Sequence, residues 1–218
     1  MKRLLPILLL VFSVGVGAYD EDDLKKLKAN KDCMKCDLSG AYLTGANLSY
    51  ANLRFADLTD ANLDSADLDR TNLTKAKLEG ANLEWANLIE ANLEGANLIG
   101  ANLFRADLIG ADLTKANLKG AQLYGANLIG ANLTKVNLTK AKLKKANLTE
   151  ANLTEANLTK AYLYRADLDE ANLTGTIFCG TIMPDKSKIV RDVSAEMIET
   201  VNIFDKAKKF TVLVECLQ

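Results

Sequence analysis

Residues 96–118 read ANLIGANLFRADLIGADLTKANL, with a leucine at every fifth position. The series is unbroken from Leu38 to Leu173, 28 leucines in all, and Phe178 and Met183 continue it. Counted as five-residue units, residues 36–185 hold 30 copies of the form Ala-(Asn/Asp)-Leu-x-x, with alanine first in 25. Cys36, Thr71, Val136, Thr176 and Thr181 are the exceptions at that place. No single helix or strand can use this spacing. On an α-helix a step of five drifts by roughly 140°, so the leucines would scatter around the axis. On a strand, an odd step sends successive leucines to opposite faces.

A chain that turns the same corner every five residues sends each leucine inward and closes a coil after a whole number of repeats. Four corners give a square coil of about 20 residues. Coils stacked at about 4.8 Å, bonded by backbone N–H and C=O groups, would build a rod roughly 34 Å long from seven coils. Leucine fills the axis of such a solenoid, and alanine leaves room beside it. Asparagine or aspartate tolerates corner conformations and hydrogen-bonds nearby backbone. At roughly 1.5–3 kcal/mol per buried leucine, offset by backbone ordering, the column replaces a two-layer core.

Tandem A-(N/D)-L-x-x at 30 copies resembles the pentapeptide-repeat proteins. That resemblance implies an all-β solenoid, a right-handed quadrilateral β-helix; the handedness and the four corners come from the family, not from the period. From the residues themselves, no catalytic residue, cofactor or metal is expected. Some members of the family resemble duplex DNA in shape and charge and act on topoisomerases.

The amino terminus, MKRLLPILLLVFSVGVGAYDEDD, places Lys2 and Arg3 before an apolar run from Leu4 to Val16 and the small residues Val16-Gly17-Ala18. This predicts a signal peptide over residues 1–18, cut after Ala18. The run is shorter than the ~18 residues needed to span a bilayer, and Pro6 interrupts it. An exported protein of the periplasm, thylakoid lumen or extracellular space is therefore expected, with no membrane anchor after cleavage. Without Lys2 and Arg3 the chain has 25 basic and 28 acidic residues, 25 − 28 = −3, which argues against a nucleic-acid partner. Charge is uneven, however: residues 36–110 carry 11 acidic and 5 basic side chains, residues 111–175 carry 6 and 9. The sequons, such as Asn132-Leu-Thr and Asn152-Leu-Thr, are by-products of the repeat.

Four cysteines in an exported chain allow three pairings. Cys33 with Cys36 would staple the mouth of the solenoid, and Cys179 with Cys216 would tie the tail to the last coil. No thioredoxin-like pattern surrounds Cys33-Met-Lys-Cys36, and the chain has no histidine, so a redox or zinc motif is the weaker reading. Solenoid ends need covering. Residues 19–35 are expected to form an N-terminal helical cap, with acids leading into Leu24 and Leu27. Residues 186–218 are expected to form a C-terminal cap, with Ser194 starting a helix whose apolar stripe includes Met197, Val201 and Phe204.

With four repeats per coil, outward positions 20 residues apart share a face. Repeats beginning at 41, 61, 81, 101, 121, 141 and 161 then gather Tyr42, Trp85, Phe104, Tyr124, Tyr162 and Tyr164, six of the eight aromatics between residues 36 and 175. Arg105, Lys144 and Arg165 lie among them, as do Lys142 and Lys145. Aromatics interleaved with cations on a rigid wall suit binding of a protein or cell-envelope component. Equally, like residues stack on β-helix surfaces to steady neighbouring coils. Enzyme chemistry has little support, because no nucleophile sits beside a base and no Gly-rich phosphate loop occurs. The expectation is a non-catalytic exported scaffold; the alternative is a DNA-mimicking protein acting on a topoisomerase.

Overall fold

The computed structural model describes residues 19–184. From Asp32 to Tyr162, the second residue of each repeat forms a parallel bridge to the residue 20 positions on: Tyr42 to Asn62, Asn62 to Asn82, and onward to Tyr162 with Ile182. Four repeats therefore make one coil, and the coil has four sides. No run of consecutive bridges occurs among the described residues, so each side is an isolated bridge rather than a strand. The repeat is too short for more, because its fourth and fifth residues are spent on the turn.

Five N–H groups per repeat have five distinct destinations. The first residue donates to the third of the preceding repeat, as Ala106 N does to Leu103 O at 3.1 Å. The second donates down one coil, as Asn102 N does to Ala81 O at 2.9 Å. The third and fifth donate up one coil, as Leu103 N does to Gln122 O and Arg105 N to Tyr124 O. The fourth has no backbone partner, and the side chain of the second residue supplies one. Phe104 N donates to Asn102 Oδ1 at 3.1 Å, and Thr114 N to Asp112 Oδ1 at 2.9 Å. All 23 repeats with Asn or Asp in second place make this bond. Asparagine and aspartate thus serve by satisfying the one donor that the coil leaves orphaned.

The sequence places Asn and Asp at the corners for their conformational tolerance; in the structure a different residue bears that strain. From Gly40 to Gly180 the fifth residue of each repeat occupies the left-handed region, with φ of 50° at Arg70 and 71° at Gly120. Glycine takes it freely, but Phe55 (φ 58°) and Trp85 (φ 57°) also hold it, at a cost of roughly 1–2 kcal/mol for an L-residue.

Inside, Leu53 to Leu163 and their alanines are buried as one column. Threonine in first place keeps its hydroxyl paired: Thr71 Oγ1 donates to Leu48 O, and Thr176 and Thr181 to Leu153 O and Leu158 O.

Helix α1, Glu21–Asn30, lies at the N-terminal end. The Asp20 side chain accepts from Asp22 N and Asp23 N, acids fill the first turn, and Lys31 in the left-handed conformation ends the helix. Leu27 is buried against the column, and Asp23 Oδ2 accepts from Asp37 N at 2.8 Å. The coil register starts one repeat before residue 36, since Asp32 bridges Asn52 and Cys33 N donates to Asn52 O. Cys33 therefore occupies a leucine place and Cys36 an alanine place, and they form a disulfide. Cys179 is also disulfide-bonded. Its expected partner Cys216, the C-terminal cap and the signal peptide lie outside the described residues.

Candidate binding face

Seven of the 30 repeats lack Asn or Asp in second place: those with Tyr42, Lys77, Gln122, Lys142, Tyr162, Ile177 and Ile182. None of these side chains closes the turn; the Ile182 repeat has Pro184 in fourth place and no donor to satisfy, and each of the others forgoes a hydrogen bond of about 0.5–1.5 kcal/mol. Lys77 has a local compensation, because its Nζ lies 2.8 Å from Asp57 Oδ2 one coil below. Of the other six, five stand on one side of the rod: Tyr42, Gln122, Lys142, Tyr162 and Ile182. Gln122, Lys142 and Tyr162 succeed one another in adjacent coils. With Phe104, Tyr124 and Lys144 they line a shallow groove of about 320 Å³.

The column beside the groove is continuous. The Trp85 ring meets Phe104 edge-on at 5.9 Å, and Phe104 stacks on Tyr124 at 5.3 Å with planes 10° apart. The Lys144 ammonium then lies 5.6 Å from the Tyr124 ring and 5.8 Å from that of Tyr164, and Tyr164 meets Tyr162 at 6.2 Å. Arg105 covers Trp85 at 4.8 Å and Phe104 at 5.5 Å, and Arg165 covers Tyr164 at 5.3 Å. The Arg105 stem passes over Gly125, where an added Cβ would sit 3.4 Å from Arg105 Cγ. Of the aromatics that the sequence gathers here, Tyr42 alone stands apart, 81% exposed, with the Asn62 and Asn82 repeats between it and the groove repeats. Gln122 is the lining residue that the search for aromatics and charges overlooks; its failure to be Asn or Asp is the signal that finds it.

Aromatic–cation contact occurs elsewhere too: Arg54 and Lys75 lie 5.4 and 5.9 Å from the Phe55 ring, likewise in no ion pair among the described residues, whereas at Tyr50 the cation is neutralised. Arg70 covers Tyr50 at 5.7 Å, donates to the Tyr50 hydroxyl, and pairs with Glu90 and Asp69. Those partners raise the Arg70 pKa further above its ordinary value, the Glu90 hydrogen bond most. On the candidate face Arg105, Lys142, Lys144, Lys145 and Arg165 are in no ion pair among the described residues, and the three repeats that hold them, beginning at 101, 141 and 161, carry no acid. The only grouping of metal-ligand types among the described residues is Asp23, Cys33 and Cys36. Its two sulfurs are bonded to each other and offer no thiolate.

Residues 36–74, 66–103, 101–139 and 146–183 match the family profile described as Pentapeptide repeats, in 8 copies. The chain belongs to the pentapeptide-repeat family. Among solved pentapeptide-repeat proteins it is similar to HetL of the cyanobacterium Nostoc sp. strain PCC 7120, involved in heterocyst differentiation regulation, at 39% identity over 72% of this chain and 80% of HetL, TM-score 0.34. A pentapeptide-repeat protein of the Arabidopsis thaliana thylakoid lumen is 32% identical over 55% of this chain and 69% of its own, TM-score 0.39. QnrB1, a plasmid-mediated fluoroquinolone resistance protein, is 16% identical over 85% and 87%, TM-score 0.41. Among curated proteins no significant match occurs.

Proposed function

We propose that this pentapeptide-repeat protein is a non-catalytic, exported scaffold, a right-handed quadrilateral β-helix that binds a protein or cell-envelope partner through the side holding Trp85, Phe104, Tyr124, Lys144, Tyr162 and Tyr164. One observation carries the reading: on one side, the repeats of three successive coils give up the turn-closing Asn or Asp, and their replacements line the groove beside the aromatic column. A surface shaped only by coil stability would keep the bond that the other repeats make. Export rests on residues 1–18 and fits the lumenal relative.

The DNA-mimicking alternative needs acidic charge along the rod. The unpaired cations Arg105, Lys142, Lys144, Lys145 and Arg165 make the candidate face the opposite of that surface.

The test is affinity capture from envelope extract. Residues 19–218 are compared with a variant in which Trp85, Phe104, Tyr124 and Tyr164 become Thr, its fold checked by circular dichroism. A partner retained by the wild type and lost by the folded variant supports the scaffold. Equal capture by both, or capture of nothing, returns the wall to coil stacking.

A further inference from the structure

Two adjoining sides of the rod share one electrostatic character. The side leading into the groove, repeats beginning at 96, 116, 136 and 156, contributes Lys119, Lys140 and Lys160 and again no acid. Eight cations, Lys119, Lys140 and Lys160 with the five already named, thus stand on the groove side and the side leading into it, none ion-paired among the described residues, while the side that follows carries Asp107, Glu150, Asp167, Asp169 and Glu170. Nor do the side chains of Gln122, Lys142, Lys145 and Arg105 hydrogen-bond to any described residue, which leaves their donors directed to a ligand or to water. Such a frame selects anions.

The rings narrow the class of anion. Phe104 and Tyr124 cover each other, Arg105 covers Trp85, and the Lys144 ammonium lies between Tyr124 and Tyr164. A sugar ring or a nucleic-acid base needs an open aromatic face to stack on, and each of these contacts takes up ring surface that such a ligand would use, with Trp85 left half exposed. What remains is a groove of ring edges and methylenes, about 320 Å³ in volume, near the lower limit for a ligand pocket. That volume suits one large apolar side chain. Backbone pairing with an added strand is disfavoured as well, because coil-to-coil bonds consume the second, third and fifth N–H groups of each repeat and leave no run of alternate free groups for a strand to pair with.

We infer that the partner of this face is an acidic protein segment that seats one large apolar side chain between Phe104, Tyr124 and Tyr162 and sets its flanking carboxylates against Lys142, Lys145 and Arg165. The inference rests on the scaffold reading and adds the chemistry of its partner. Both halves of the recognition are needed: the carboxylates answer the cationic frame, and the apolar side chain answers the groove.

The experiment titrates the processed protein into a fluorescein-labelled peptide of aspartate and glutamate residues with one central phenylalanine. The readouts are anisotropy and emission of Trp85, the only tryptophan in the chain. Comparators are the same peptide with glycine for phenylalanine, unlabelled oligogalacturonate and a thymidine oligonucleotide. The matched variant is Gln122→Asn, Lys142→Asn, Tyr162→Asn, which returns the three repeats to their own rule and keeps the coil intact. Saturable binding that weakens with salt, falls about tenfold or more without the phenylalanine and is lost in the variant supports the inference. Absence of saturable binding, equal binding of the glycine peptide, binding retained by the variant, or tighter binding of either other polyanion overturns it. If envelope capture still depends on the aromatic column, only the ligand class has failed; if capture fails too, so has the scaffold reading.

Discussion

Phe104 and Tyr124, one coil apart, lie with centroids 5.3 Å apart and planes within 10° of parallel. Neither ring is in the core; the 20-residue register superimposes them on the outer surface. Such a pair contributes about 0.5–1.5 kcal/mol beyond its area burial. A double-mutant cycle with Phe104→Ala and Tyr124→Ala, read by urea unfolding, is expected to show a coupling of that size. A coupling near zero would mean that the column is not built by ring stacking.

The turn-closing rule makes a prediction of opposite sign. Asparagine at 122 or 142 would give Tyr124 N or Lys144 N the acceptor that Phe104 N has in Asn102. Gln122→Asn and Lys142→Asn are each expected to stabilise the rod by about 0.5–1.5 kcal/mol, seen as a higher denaturant midpoint, while weakening partner capture. Destabilisation by either would show that the long side chains support the coil.

Asp57 and Lys77 tie two coils together at 2.8 Å. Partial burial would raise the Asp57 pKa, but hydrogen bonds from Lys77 and Thr59 outweigh it and hold the carboxyl below its usual value. Its contribution is therefore fully present above the unfolded value of about 3.9 and is lost as pH falls through the lower folded value. Lys77 is raised by the same pair, so the contribution also fades as pH climbs through its folded value. Asp57→Asn should cost about 0.5 kcal/mol at pH 7, the exposed pair being screened by solvent. Thermal melts of the two proteins should converge in strong acid.

The Cys33–Cys36 disulfide spans a sequence separation of only 3. Loop-closure entropy for so short a ring gives about 2 kcal/mol. Cys33→Ser with Cys36→Ser is expected to loosen α1 and the first coil, with hydrogen exchange rising at Leu27 and Leu38, while amides around Leu103 stay protected. Uniform loss of protection would mean that the rod unfolds as one unit.

The five-residue period excludes helix and strand on geometric grounds, and the recurrence of leucine leaves an axial column as the one way to bury it, so the solenoid follows from the sequence. Its acidic start and Leu27 likewise announce the N-terminal helix. The 20-residue register decided which residues meet: Tyr124 with Phe104, and Lys144 with Tyr124 and Tyr164 but not with Tyr42. The role of Asn and Asp also needed the coil, because only there does the fourth N–H of each repeat stand without a backbone partner. That orphaned donor turns Gln122 and Lys142 from ordinary surface residues into departures from a rule. A one-dimensional pattern specifies what each repeat must bury, whereas a neighbour 20 residues away exists only once the coil has closed.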